Sequence, residues 1–194
     1  MVMESGSNSK KAFDSYTKYA LSETEIKRCL DVCNTTEKEC IMKLGYTLGL
    51  RRADMANIEI ANIDFLNHRL TYYEEKKDHN HTAPLTQDIE ICLQKHINAG
   101  PKRKFLFENP SGSTMYRRFQ EILNDAGIKT VSREVRPFHA LRGTCYKYWQ
   151  RRGMPVEQIA ALLDDTVDTA MKHYGKATQS EIEDTMRKTN GGNT

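Results

Sequence analysis

Residues 139 to 174 read HALRGTCYKYWQRRGMPVEQIAALLDDTVDTAMKHY, and this stretch is the most informative part of the 194-residue chain. It places His139 and Arg142 three positions apart, on one face of a helix. A phenol, Tyr174, follows 32 positions after Arg142, and a second guanidinium, Arg51, lies far earlier in the chain. Arginine forks bind phosphate oxygens through paired hydrogen bonds, so this set indicates phosphoryl transfer without a metal.

A tyrosine nucleophile needs help, because a phenol has a pKa near 10, about three units above working pH. Positive charge from Arg51, Arg142 and a lysine favours the phenolate, and so lowers the free-energy cost of making the tyrosine oxygen reactive. A lysine with cationic neighbours also suits the general acid that protonates the departing oxygen. Lys76 is the first candidate, because it lies where a strand enters a polar turn. Lys77 remains the alternative. Successive residues of a strand face opposite sides, so a shift of one residue in the hairpin register would turn Lys77 instead of Lys76 toward the site.

At these residues the chain resembles the catalytic domain of the tyrosine recombinases, the phage integrase family, over about residues 22 to 180. The family pattern is Gly-Leu-Arg with an acidic residue three places on, a hairpin lysine eight residues before a proline, His-x-x-Arg, a Leu-Gly-His/Trp box, and a tyrosine nine residues after that His or Trp. The matching positions are Arg51 with Asp54, Lys76 before Pro84, His139 with Arg142, Leu163-Asp164-Asp165, and Tyr174. The divergent boxes further resemble those of archaeal mobile-element integrases.

The resemblance implies a site-specific recombinase or integrase that cleaves and rejoins DNA through a 3′-phosphotyrosine on Tyr174, with no metal, ATP or other cofactor. It implies that Arg51 and Arg142 bind the scissile phosphate, that Lys76 protonates the leaving oxygen, and that His139 assists proton transfer at the tyrosine. It also implies double-stranded DNA as the partner, and a homotetramer on paired DNA sites that is a monomer in free solution.

Two positions depart from the family pattern. Asp165 occupies the sixth catalytic position, where the family has His or Trp, and an ionised carboxylate there repels a phosphate instead of donating to it. Gly143 stands where members often carry His or Ser. These departures predict a reduced rate with the essential set intact. The alternative is a catalytically weakened DNA-binding protein on the same fold.

Positive charge is concentrated in residues 101–154, which carry 12 basic and 4 acidic side chains in a chain whose net charge is +3. Such a block favours a nucleic-acid backbone as the partner, although a solvated basic face without a ligand is the alternative. The predicted DNA-binding residues, some from this block and some near the catalytic positions, are Arg52, Lys77, Arg117, Arg118, Arg133, Arg136 and Lys147.

The patterns along the chain predict an α+β fold that is mainly helical, with a small three-stranded antiparallel sheet. Ser22-Glu23-Thr24-Glu25 is a capping box that opens a first helix, and Thr36 to Leu48 forms a second. Three short strands are predicted over 61–65, 69–73 and 81–84, with turns at 67–68 and 77–80. Further helices are predicted at about 86–98, 113–126, 138–151, 155–163, 166–173 and 178–189.

The sequence predicts a flexible N-terminal tail (1–20), the catalytic domain (21–177), and a C-terminal helix and tail (178–194). We expect this helix to be exchanged between subunits, because Ile182 and Met186 have no obvious partner in their own chain. The alternative is that the helix folds back on its own domain and buries its apolar face there. No apolar run has the length of a signal peptide or a membrane span, which predicts a cytoplasmic, DNA-associated protein without membrane contact. His79 and His81 share a strand face but lack a carboxylate partner at suitable spacing, so no metal site is predicted.

Overall fold

The computed structural model describes residues 20–128, 137–175, 177 and 179–190, and the helices in these ranges surround one small sheet. The first half contains α1 (Glu23–Asp31), α2 (Thr36–Leu48), α3 (Arg52–Ala56), and the strands β1 (Ile63–Asp64), β2 (Arg69–Glu74) and β3 (His79–Pro84). The second half contains α4 (Gln87–Ala99), α5 (Gly112–Asp125), α6 (Ala140–Arg151), α7 (Val156–Leu162), α8 (Val167–Tyr174) and α9 (Gln179–Asn190). The predicted fold class is confirmed. Apart from residue 20, the predicted tail lies outside the described residues.

The helix ends follow local capping chemistry. At the start of α1, the Glu25 backbone N–H donates to the Ser22 hydroxyl (3.3 Å), and the Ser22 N–H donates to the Glu25 carboxylate (2.8 Å), as the capping box predicts. Helix α2 ends at Gly49, whose φ of 62° is the left-handed conformation that glycine adopts without strain. A Cβ at Gly49 would lie 2.3 Å from Leu163 Cδ2, so glycine also allows the turn after α7 to approach the end of α2.

The sheet has the order β1-β2-β3, and both strand pairs are antiparallel. The second hairpin turn covers residues 75–78, two residues earlier than predicted. Asp78 adopts a left-handed backbone (φ 58°), and the N–H groups of Lys77 and Asp78 both donate to the Glu74 carbonyl, which closes the turn early. β3 therefore begins at His79. The first strand is shorter than predicted, because residues 60–62 form a 3-10 turn.

Helix α2 runs through the middle of the hydrophobic core and packs against α4, α5 and α6. Ile41, Met42 and Leu44 are fully buried on it. A Cβ at Gly45 would lie 2.6 Å from Leu141 Cδ1, so the small residue lets α6 approach closely and fixes the helix that carries Arg142. Among the described residues, no helix combines the length and the apolar character needed to cross a membrane.

Candidate active site

Arg142, in the first turn of α6, ties three segments together. Its side chain is 2% exposed, and its guanidinium donates to the carbonyl oxygens of Gly49 (2.8 Å) and Leu163 (2.7 Å) and to the Asp165 carboxylate (2.7 Å). Burial acts to lower the pKa of Arg142, because it disfavours the charged form. The interactions with Tyr174 and Asp165 act in the opposite direction, and the pKa of Arg142 lies above its ordinary value. Arg142 is therefore a permanently charged donor, and the backbone carbonyls of Gly49 and Leu163 fix its position.

Tyr174 is the last residue of α8 and lies beside His139, which precedes α6. The Tyr174 hydroxyl is 3.3 Å from His139 Nε2, and the tyrosine is 3% exposed. Burial raises the pKa of Tyr174, while Arg142 acts in the opposite direction. Burial, reinforced by Arg142 and Arg51, lowers the pKa of His139 to about 4. At neutral pH the imidazole is therefore uncharged and can accept the phenolic proton.

Arg51 lies between the end of α2 and the start of α3, and carboxylates surround it. Its guanidinium forms an ion pair with Glu74, and it lies 3.6 Å from an Asp165 oxygen and 3.8 Å from an Asp54 oxygen. Because Arg142 contacts the second Asp165 oxygen, the Asp165 carboxylate bridges the two arginines. Two guanidiniums that converge on one anion form a site for a tetrahedral oxyanion, and in this structure a side chain fills it.

Glu74 is a buried carboxylate that the sequence analysis missed. It is 0% exposed, and its Oε1 has no hydrogen-bond partner among the described residues, while Oε2 contacts Arg51. Burial, and then Glu74, raise the pKa of the neighbouring Asp54 to about 6. One signal for Glu74 was available: Leu70, Tyr72 and Glu74 alternate along β2, which places all three on the inward face.

Lys76 and Lys77 both lie in the exposed hairpin turn at the edge of this cluster. Lys77 Nζ is 2.8 Å from Asp164 Oδ2, in the turn that also holds Asp165. Burial and Lys172 lower the pKa of His173, and Lys76 contributes in the same direction. Lys77 contacts the turn that holds Asp165, whereas the choice of Lys76 as the general acid stays a prediction.

The predicted DNA-binding residues have different environments. Arg52 and Arg117 are exposed. Arg118 forms ion pairs with Glu37 of α2 (3.4 Å) and with Glu121 of its own helix α5 (3.2 Å). Lys147 requires a correction: it is 3% exposed and pairs with Glu181 (2.9 Å), because α9 packs over this part of α6. Arg133 and Arg136 lie outside the described residues.

Comparison with known proteins identifies the family of the chain. The model of the phage integrase family matches residues 20–181. The tyrosine recombinase XerA of Saccharolobus solfataricus is 26% identical over 144 residues, which are 74% of this chain and 47% of that protein. The chain spans about half the length of the curated relatives that it matches first.

Solved structures show the same fold. A crystal structure of XerA recombinase superposes with a TM-score of 0.74 at 21% identity, covering 87% of this chain and 64% of that one. The XerH site-specific recombinase, solved bound to palindromic difH substrate as a post-cleavage complex, has a TM-score of 0.66 at 18% identity, covering 87% and 53%. The family model covers most of the chain, and the predicted membership of the phage integrase family is thereby confirmed. The chain belongs to the phage integrase family and has the fold of the catalytic domain of that family's recombinases.

Proposed function

We propose that the chain cleaves and rejoins DNA strands at specific sites through a covalent 3′-phosphotyrosine on Tyr174, without metal or ATP. The observation that carries the proposal is the contact of 3.3 Å between the Tyr174 hydroxyl and His139 Nε2, directly beside the Arg142 guanidinium. A nucleophile within reach of a neutral base and a fixed cation is the arrangement that this chemistry needs.

The proposed reaction begins with in-line attack of the Tyr174 oxygen on the scissile phosphorus. The phenolic proton passes to His139, the bond between phosphorus and the 5′ oxygen breaks, and Lys76 protonates that oxygen. Arg51 and Arg142 stabilise the charge on the non-bridging oxygens, the task that a divalent cation performs in other phosphoryl transfers. A 5′ hydroxyl from a second strand then attacks the phosphotyrosine, and because the bond energy is retained, no ATP is needed.

A second candidate is a DNA-binding protein with a weakened active site. The observation in its favour is the abundance of carboxylates: Asp54, Glu74 and Asp165 all lie close to Arg51, so the charge meant for phosphate is largely compensated already. An incoming phosphate must displace Asp165 or meet its repulsion. This arrangement lowers the expected rate, but it leaves Tyr174, His139 and Arg142 in contact.

The wild-type chain can decide between the two candidates. We would incubate it at low salt with a pool of nicked duplexes randomised around the nick, in which cleavage releases a short 5′-hydroxyl fragment and traps the adduct. A recombinase gives a protein–DNA band that survives denaturation and disappears after proteolysis. Retarded complexes on native gels without any covalent band support the binding protein instead.

DNA is the proposed partner, by analogy with the Tn1549 transposon integrase of the same fold, which was solved in complex with a circular intermediate DNA. Arg52 and Arg117 are exposed and suit contacts to the phosphate backbone. Arg133 and Arg136 remain predictions from sequence. Because the contacts are mainly with phosphate, binding should weaken steeply as salt rises, and each lysine or arginine removed from the surface should lower the salt slope by about one.

The C-terminal helix is proposed to join subunits into a tetramer on paired sites. Glu181 pairs with Lys147 (2.9 Å) and Arg151 (3.1 Å) of its own chain, so the first turn of α9 packs in cis. Ile182 and Met186, however, are 43% and 59% exposed, and an apolar face left in solvent marks a docking surface.

Changing both Ile182 and Met186 to Glu, or deleting residues 178–194, should leave cleavage of the nicked substrate within about fivefold and abolish DNA-dependent tetramers and strand exchange. The reason is that the apolar face would supply the contact between subunits. Crosslinking on paired sites measures the assembly. Arg187→Ala, an exposed change on the same helix, is the matched control. If tetramers persist in both altered chains, α9 does not form the interface between subunits.

Asp165→Asn should raise the rate of adduct formation about tenfold. The substitution removes a negative charge from the space between Arg142 and Arg51, and a like-charge contact near 4 Å costs roughly 1 to 4 kcal/mol depending on the local dielectric. Adduct formation under single-turnover conditions measures the change. Asp168→Asn, an exposed change on α8, should have little effect. A slower Asp165→Asn variant would mean that the carboxylate serves to position the arginines.

A further inference from the structure

Two histidines of β3 and one aspartate of the turn after α7 meet beside the active site. The register of the hairpin places His79 opposite Glu74 and His81 opposite Tyr72. Directly opposed residues project from the same face, so both imidazoles lie on the face that buries Glu74 and Tyr72. Asp164 approaches this face: its Oδ2 is 3.1 Å from His79 Nε2, and its Oδ1 is 3.9 Å from His81 Nδ1.

These three residues form the donor set of a transition-metal site. One ligand atom from each of His79, His81 and Asp164 lies within 4.8 Å of the other two. Ligands bound tetrahedrally at the usual zinc distances stand about 3.4 Å apart, so small side-chain rotations complete the triad. Two imidazoles and a carboxylate are the protein ligands of open zinc sites. The three side chains are 45%, 16% and 24% exposed, which leaves room for a solvent ligand.

Two details show that this cluster already attracts a cation and that the His81 ring is held in place. Lys77 Nζ lies 2.8 Å from Asp164 Oδ2, so an ammonium group now pairs with the carboxylate. The His81 ring packs edge-on against Tyr72, with Nε2 buried and Nδ1 on the side of Asp164, 3.9 Å from its Oδ1. The nitrogen available to an ion held by Asp164 is therefore Nδ1.

We propose that His79, His81 and Asp164 bind Zn²⁺ or a divalent ion of similar preference, which replaces the ammonium group of Lys77 on Asp164. The ion links the hairpin that carries Lys76 and Lys77 to the turn that carries Asp165, and it releases Lys77 from Asp164. It lies beside the phosphate site and takes no part in the strand transfer itself, so the site does not depend on the proposed function.

Calorimetric titration of the untagged chain with Zn²⁺, in the absence of DNA, tests the proposal. We expect one ion per chain. Co²⁺ should give a ligand-field spectrum without thiolate charge-transfer absorption, because none of the ligands is a cysteine. His81→Ala and Asp164→Asn should each weaken binding at least about tenfold. Asparagine also tolerates the left-handed backbone of position 164 (φ 47°), so the fold is retained.

Lys77→Met and His68→Ala complete the test. Removing the competing ammonium should tighten Zn²⁺ binding at least about threefold, and unchanged affinity would overturn the exchange of Lys77 for the ion. His68 is an exposed histidine that pairs with Glu90 (2.8 Å) at the other end of the hairpin, and its loss should change nothing. Absence of binding, thiolate absorption with Co²⁺, or full affinity in both the His81 and Asp164 variants overturns the site.

Discussion

Tyr174→Phe should abolish the covalent protein–DNA adduct, with a loss of at least about a thousandfold, while DNA affinity stays within about threefold of wild type. The substitution removes the proposed nucleophilic oxygen but almost no volume and no charge. The ring is held by packing: its centroid lies 6.0 Å from that of Tyr146, and the residue is 3% exposed. Denaturing gels of the nicked substrate measure the adduct, and native gels at fixed salt measure binding.

Tyr146→Phe is the matched control for this result. Tyr146 is a neighbouring buried tyrosine, 2% exposed, so the same atom is removed from the same core region. Its adduct yield should remain within a few-fold of wild type, since no proposed step involves it. An adduct that survives in the Tyr174 variant would assign the attack to another residue. Equal losses in both variants would indicate a packing effect instead of the loss of a nucleophile.

The fold was largely predictable from local signals. Helix starts and stops depend on residues within one turn of the boundary, such as the reciprocal bonds of Ser22 and Glu25 or the left-handed Gly49. The hairpin turn was placed two residues too late, because its closure depends on the left-handed backbone of Asp78, which the polar run 75–80 does not distinguish from its neighbours. The five-residue helix α3 was missed, since it is too short to show a period.

The members of the site were predictable, but their contacts were not. Motif spacing selects Arg51, His139, Arg142 and Tyr174, and the structure brings these residues together. That Asp165 bridges both arginines depends on how the turn after α7 packs on the end of α2, which no local pattern encodes. Lys147 was assigned to DNA because it lies in a basic block, and only the position of α9 reveals its pairing with Glu181.

Long-range pairing also explains why the sequence did not bring Asp164 together with His79 and His81. His79 and His81 share a strand face, but no metal site was predicted, because no carboxylate stands at a suitable spacing in the sequence. The carboxylate belongs to Asp164, in a segment whose bond to Lys77 spans 87 positions of the chain. Sequence spacing detects ligands on one element or on a tight loop, whereas a site assembled from a hairpin and a distant helix end requires the tertiary fold.

Arg142→Ala and Arg51→Ala should each lower adduct formation by about two to four orders of magnitude, the range for losing a preorganised donor to developing charge. Arg52→Ala should change it little, because Arg52 is exposed and packs against Gly112 instead of facing the carboxylate cluster. Equal losses for Arg51→Ala and Arg52→Ala would contradict the assignment of phosphate binding to Arg51. The measurement is the single-turnover rate on the nicked substrate at saturating protein.

Folding has to be separated from catalysis in the Arg142 variant. Alanine leaves the Gly49 and Leu163 carbonyls and the Asp165 carboxylate without their donor, and breaking a buried ion pair costs roughly 3–5 kcal/mol. Arg142→Lys retains the charge and loses the planar fork that contacts both backbone carbonyls and a phosphate. If the lysine variant melts near the wild-type temperature and still cleaves at least about a hundredfold more slowly, the loss is one of transition-state binding. A lysine variant with near wild-type cleavage would reduce the role of Arg142 to its charge.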